Sequence, residues 1–188
     1  MNSFYTSDEL SALGLKTFGE NVLISRKCSI YAAGKVSVGS HVRIDDFCIL
    51  SGNIEIGSYI HISAYTSLYA GSYKIQLGDF CTVSSRCAIY AESDDYSGEC
   101  MTNPMVPEEC RTTYGGDVIL KQHAIIGSAS TVLPDITIGE GASIGTMSLV
   151  NKDVPAWSVC VGIPCKKIKE RSKNLLKMLP HGYVRGNL

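Results

Sequence analysis

The residues in this 188-residue chain best placed to move a proton are the adjacent carboxylates Asp94 and Asp95, which stand where a long repeat is interrupted. Such a pair can supply a base that orients and deprotonates a nucleophile, or it can open a loop through an Asx-turn that holds backbone N–H groups. His123 follows the interruption and is a second candidate, as a base or a substrate contact, because an imidazole titrates near neutrality. His41, His61 and His181 lie far along the chain from the interruption and read as surface residues. The eight cysteines include no Cys-x-x-Cys pair and the histidines are not close-set, so no metal is expected.

What must position these groups is a beat of six. Leu120, Ile126, Val132, Ile138, Ile144 and Val150 fall at six-residue intervals, which is neither the helical nor the strand period and requires a backbone that turns a corner once per hexad. The beat is present upstream at Ile24, Ile30 and Val36, resets at Val38, and continues through Ile44, Leu50, Ile56, Ile62 and Leu68 to Leu77, Val83 and Ile89. Residues two places earlier are also apolar or small, among them Val22, Val42, Ile54, Ile60, Ile75 and Val118. Cys28, Cys48, Cys81 and Cys87 share that inward register and read as reduced core residues. Arg43, Asp45 and Asp46 flank Ile44 and should face outward, as an ion pair or as substrate contacts. Tyr59, Tyr65, Tyr69 and Tyr90 are out of the inward phase and fit an oligomer interface.

The expectation is an all-β solenoid in one domain, residues 1–188. Residues 1–20 form an N-terminal cap, 21–163 the β-helix with an extruded loop at 93–116, and 164–188 a C-terminal helix and tail. Thr6-Ser7-Asp8-Glu9 has the form of a capping box for a short helix ended by Gly14. Ile168, Leu175, Leu176 and Leu179 suggest an apolar stripe on a helix over 166–179. Net charge is −1, yet six Lys or Arg crowd between Lys166 and Lys177. No secretory leader or membrane-spanning run is seen, which predicts a cytoplasmic protein with no membrane insertion and no nucleic-acid partner.

Hexads with an aliphatic at every sixth position, a loop before the last coils, and an ending Gly162-Ile163-Pro164-Cys165-Lys166-Lys167-Ile168 resemble the left-handed β-helix, or hexapeptide-repeat, acyltransferases. Within that family, Val42-Arg43-Ile44-Asp45-Asp46-Phe47-Cys48 and Asp94-Asp95 followed by Ser97-Gly98 look most like an N-acyltransferase acting on a dTDP-linked 4-amino-4,6-dideoxyglucose. The resemblance implies a left-handed parallel β-helix, a homotrimer with sites between neighbouring prisms, and acetyl-CoA as co-substrate without a metal. It further implies surface polysaccharide (O-antigen) synthesis by direct attack in a ternary complex. The related O-acetyltransferases place a histidine five residues after an inward aliphatic, and the same count from Ile89 lands on Asp94. A sugar hydroxyl needs a base near neutrality, whereas an amine is already nucleophilic, so a carboxylate here favours an amino acceptor. The alternative is O-acetylation of a saccharide with His123 as base.

By the same resemblance Ser128 offers its backbone N–H to the thioester carbonyl, with Gly127 allowing close approach. Thr146, Asn151, Lys152 and Pro164 match coenzyme contacts, and Lys166 and Lys169 the basic residues near its phosphates. Ser84, Tyr90 and Asp95 are candidate sugar contacts, with His123 beside them.

Overall fold

The computed structural model describes residues 3–180 and residue 183. About seven coils stack as a left-handed parallel β-helix of triangular section. Most of the strands are two or three residues long, too short to be stable singly, so stability comes from stacking like on like. Leu120 pairs with Ile138, Ile126 with Ile144 and Val132 with Val150 in parallel register. These aliphatic residues point inward, and all six are at most 2% exposed. The inward cysteines, Cys48, Cys81 and Cys87 among them, are also buried and unpaired.

The first face is the column Leu23–Ile24, Val42–Ile44, Ile60–Ile62, Thr82–Val83, Ile125–Ile126, Ser143–Ile144 and Ser158–Val161. The second and third faces are joined, because Ile49–Ile56 and Ser67–Leu77 run round a corner without a break. The loop opens no gap in the prism. Ile89 pairs directly with Val132, Val83 with Ile126 and Leu77 with Leu120, so the coil after the excursion settles on the coil before it.

At each corner one residue takes a left-handed backbone, a conformation that costs an ordinary L residue about 1–2 kcal/mol. A backbone bond to the coil below offsets the strain: Phe80 N–H donates to Ser58 O, His123 N–H to Asp79 O and Ala129 N–H to Ser85 O. Where the first face begins, the corner side chains stack as a ladder. His41, Tyr59, Phe80 and His123 have successive ring centroids 4.6, 4.9 and 5.0 Å apart.

The bottom is closed as expected. Thr6 Oγ1 accepts from Glu9 N–H at 3.3 Å and Glu9 Oε2 accepts from Thr6 N–H at 2.7 Å, starting the helix Ser7–Ala12, whose Leu10 enters the core. The top differs. In place of a helix over 166–179, Lys166–Glu170 is a strand antiparallel to Ser158–Val161, followed by a 3-10 turn at Asn174–Lys177. The reason is the exposed edge of Ser158–Val161, whose unpaired backbone groups outweigh the modest helix preference of a lysine-rich segment. Ile168 is 59% exposed and forms no buried stripe. Within the expected tail, residues 181, 182 and 184–188 lie outside the described residues, His181 with them.

Candidate active site

Ile89 is fully buried and Tyr90 stacks on Tyr69 with centroids 5.3 Å apart, so the prism is intact up to the point where the chain leaves it. Gly116 N–H donates to Ala91 O at 3.0 Å, which brings the two ends of the excursion together. From there Glu92–Asp94 pairs antiparallel with Thr113–Gly115, setting Asp94 opposite Thr113. The hairpin and the coil above it enclose a cavity of about 590 Å³, lined by Tyr90, Asp94, Tyr96, Tyr114, Leu133 and Pro134 among others. Burial raises the pKa of the Tyr90 phenol, and Tyr69 and Tyr96 add to the shift, so Tyr90 is a neutral hydrogen-bonding group there.

Three acids stand at this root, and their partners tell them apart. Glu92 accepts from Ser72 N–H at 2.8 Å through Oε2 and from the Thr113 hydroxyl at 2.5 Å through Oε1. Asp95 accepts from the Ser97 hydroxyl at 2.7 Å and Ser97 N–H at 2.8 Å through Oδ1, and from Cys100 N–H at 3.1 Å through Oδ2. Those bonds hold the Asp95 carboxyl down at about 2. The Asx-turn therefore belongs to Asp95, whose carboxylate is directed into its own loop. The Asp94 carboxylate is half-buried, lines the cavity, and has no hydrogen-bond partner among the described residues.

A second set of expected residues lies at the other end of the same face. Ser84 and Ser85, then Gly127 and Ser128, then Thr146 climb the corner between the first and second faces. Ser85 and Ser128 hydroxyls are 3.4 Å apart, and Met147 N–H donates to Ser128 O. The turn carrying Pro164 crowns this edge: Leu149 N–H donates to Gly162 O, and Gly162 N–H to the Ser148 hydroxyl. A Cβ on Gly127 would come 2.6 Å from Thr146 N and 2.8 Å from Ile144 O, so only glycine permits this spacing of coils. The Ser128 N–H has no acceptor among the described residues. Lys166 and Lys169 stand exposed on the last strand, opposite Val161 and Val159.

The structure does not bring every expected residue into one place within a chain. Leu133, which borders the Asp94 cavity, lies past the corner at Ala129 and beyond the strand Thr131–Val132, so it and Ser128 sit at opposite ends of the face. Asn151 and Lys152 follow Leu149–Val150 and so lie on the Asp94 side of the face, away from Thr146. His123 is at the third edge, 7% exposed, its ring 5.0 Å from that of Phe80 and nearly parallel to it. It borders cavities with Trp157 and Tyr59 and not the one with Asp94. Asp45 binds Arg43 Nε and His61 Nε2, each at 2.7 Å, and Asp46 binds Lys27, so this hexad is a surface ion network.

Sequence reasoning missed Glu92, Tyr96, Tyr114, Leu133 and Pro134 as parts of the site root. The repeat held a usable signal for two of them: Ile89 and Val132 share a phase, so the residues after each must neighbour one another.

No family model matches the chain. Over 173 residues it is 47% identical to a dTDP-4-amino-4,6-dideoxy-D-glucose acyltransferase from Escherichia coli, covering 90% of each chain. It superposes with a TM-score of 0.93, at 47% identity and over 95% of both chains, on the S84C mutant of AntD, an N-acyltransferase from Bacillus cereus, in complex with dTDP-4-amino-4,6-dideoxyglucose and coenzyme A. AntD in complex with dTDP and 3-hydroxybutyryl-CoA gives a TM-score of 0.92 at 48% identity. A more distant relative, 27% identical over 82% of each chain, is the putative lipopolysaccharide biosynthesis O-acetyl transferase WbbJ of Escherichia coli strain K12.

Proposed function

The chain belongs to the dTDP-4-amino-4,6-dideoxyglucose acyltransferases, and on that premise we propose that it transfers an acyl group, such as acetyl, from acyl-coenzyme A to the amine of a dTDP-linked 4-amino-4,6-dideoxyglucose. The observation that carries the site assignment is the open carboxylate of Asp94, alone among the three root acids in having no bond to spend on the loop. The sugar enters the cavity of Tyr90, Tyr96 and Tyr114 with its amine against Asp94. Asp94 orients the amine and takes its proton as the new N–C bond forms. The Ser128 N–H receives the charge that develops on the thioester oxygen. The C–S bond then breaks, and the proton passes to the departing thiolate.

Direct transfer is favoured over a covalent enzyme intermediate. Cys87, beneath the Ser128 edge, is buried with its Sγ 3.2 Å from Gly127 O, and burial raises its pKa, so it is neither reachable nor ionised.

One chain alone holds Asp94 and Ser128 at opposite edges of a face, so the working enzyme is a homotrimer in which the Asp94 edge of one copy meets the Ser128 edge of the next. The same apposition returns Asn151 and Lys152 to the coenzyme, with Thr146, Pro164, Lys166 and Lys169 supplied by the neighbour. The protein works in the cytoplasm on surface-polysaccharide (O-antigen) precursors, a reading supported by eight unpaired cysteines and by the likeness to WbbJ. No helix among the described residues is long and apolar enough to cross a membrane.

The test is a competition assay with acetyl-CoA and 3-hydroxybutyryl-CoA, offering the 4-amino sugar nucleotide and its 4-hydroxy counterpart. Acylation of the amine alone is expected, with Asp94→Ala lowering kcat by about a hundredfold or more. Equal acylation of the hydroxyl, or full activity in the variant, would overturn the assignment.

A further inference from the structure

We infer that Glu92 is the positioning residue for Asp94, an inference that rests on the reading of Asp94 as the proton acceptor. Asp94 sits on an extruded hairpin, and a hairpin of three residues a side does not hold a side chain to catalytic tolerance by its ladder alone. Glu92 supplies the missing anchor. It precedes Asp94 by two residues on the same strand, and its carboxylate grips two separate elements. One is the prism, through Ser72 N–H at 2.8 Å and, more weakly, the Ser72 hydroxyl at 3.5 Å. The other is the opposing strand, through the hydroxyl of Thr113, the residue directly across from Asp94. Prism, base strand and partner strand are thereby fastened at one point.

The backbone beneath is shaped to receive this carboxylate. Gly71 lies at the corner where Ser67–Leu77 bends, with φ +57°, and a Cβ there would stand 1.8 Å from Glu92 Oε2 and 2.6 Å from its Cβ. The missing side chain is the space Glu92 fills. On the far strand, Gly115 packs its open face on the Tyr73 ring and Lys74 N–H donates to Asp117 Oδ1, so the return of the hairpin is seated on the same corner. Glu92 also borders the cavity, but both of its carboxylate oxygens are taken up by Ser72 and Thr113, so its effect on the reaction passes through Asp94.

The experiment is a double-mutant cycle in the full-length enzyme, pairing Glu92→Gln with Asp94→Asn, with Thr113→Val and Thr113→Ser as second probes. A glutamine amide keeps one acceptor oxygen for the Ser72 N–H and can meet the Thr113 hydroxyl only with an NH2 donor, which reverses that bond and removes its charge, so Glu92→Gln is expected to lower kcat by about tenfold while KM for acyl-CoA, bound at the other edge, holds. Thr113→Val should move in the same direction and Thr113→Ser should restore the rate. In the Asp94→Asn background Glu92→Gln should cost nothing further. An equal loss in both backgrounds, or a rise in the KM for acyl-CoA with kcat intact, would overturn the positioning role. Wild-type kinetics for Glu92→Gln beside an inactive Asp94→Asn would also remove it and leave the Asp94 assignment standing. An active Asp94→Asn would remove the assignment itself.

Discussion

The pH at which the root of the loop loosens is set by Asp95. Its folded carboxyl titrates at about 2, below the usual value of 3.8, because Ser97 and Cys100 donate to its ionised form. A depressed carboxylate stabilises the fold fully above its unfolded pKa, and the contribution fades as pH falls from near 4 through 2. The amide resonances of Ser97 and Cys100 should therefore titrate together with a midpoint near 2, and Asp95→Asn should abolish that titration. A midpoint at the ordinary aspartate value would show that the turn contributes nothing. The neighbouring Asp94 has no such partners, and two acids adjacent in sequence thus divide, through the donors around them, into one held by its own loop and one left open to the cavity.

At the level of the coil, the spacing between neighbouring rungs is the quantity the corners protect. The Cβ of a Gly127→Ala variant would press on backbone atoms of Ile144, Gly145 and Thr146, none of which can rotate away. Overpacking of this kind costs about 1–3 kcal/mol, so calorimetry should find Tm lower by several degrees, while Gly34→Ala, with its nearest neighbour at 3.9 Å, should leave it in place. Rungs were legible in the sequence because a side chain that must point inward at every sixth position leaves a mark no other architecture makes, and Ile24 through Val150 carry it. Asp94 was legible because it stands where the mark stops. The C-terminal helix was misread because a lysine-rich segment with scattered leucines satisfies the helical pattern locally, while the unpaired edge of Ser158–Val161 that claims it is a tertiary fact. Glu92, Tyr114 and Leu133 were hidden for the same reason, since antiparallel pairing across the loop and stacking across coils bring them to Asp94 from positions with no common period.

For the whole molecule the decisive point is that, in the proposed homotrimer, the Asp94 carboxylate and the Ser128 N–H of one prism face different neighbours. Ala129 follows Ser128 with φ +59°, which makes Ser128 the second residue of a tight corner, a place where the fixed φ of proline is accepted. Pro134 occupies the corresponding place one corner later, before Asp135 at φ +60°. Ser128→Pro should therefore fold and keep its coils while deleting the unused N–H, lowering kcat by about 100- to 1,000-fold as expected for a lost oxyanion donor. Asp94→Ala should be comparably poor for a different reason. When the two variants are co-expressed and assemble as mixed trimers, a site that joins the Asp94 of one copy to the Ser128 of the next is intact in about a quarter of random pairings, so roughly that share of wild-type activity should return. Mixed trimers, verified by mass, that stay as inactive as their parents would place both groups in a single chain and dissolve the case for a shared site.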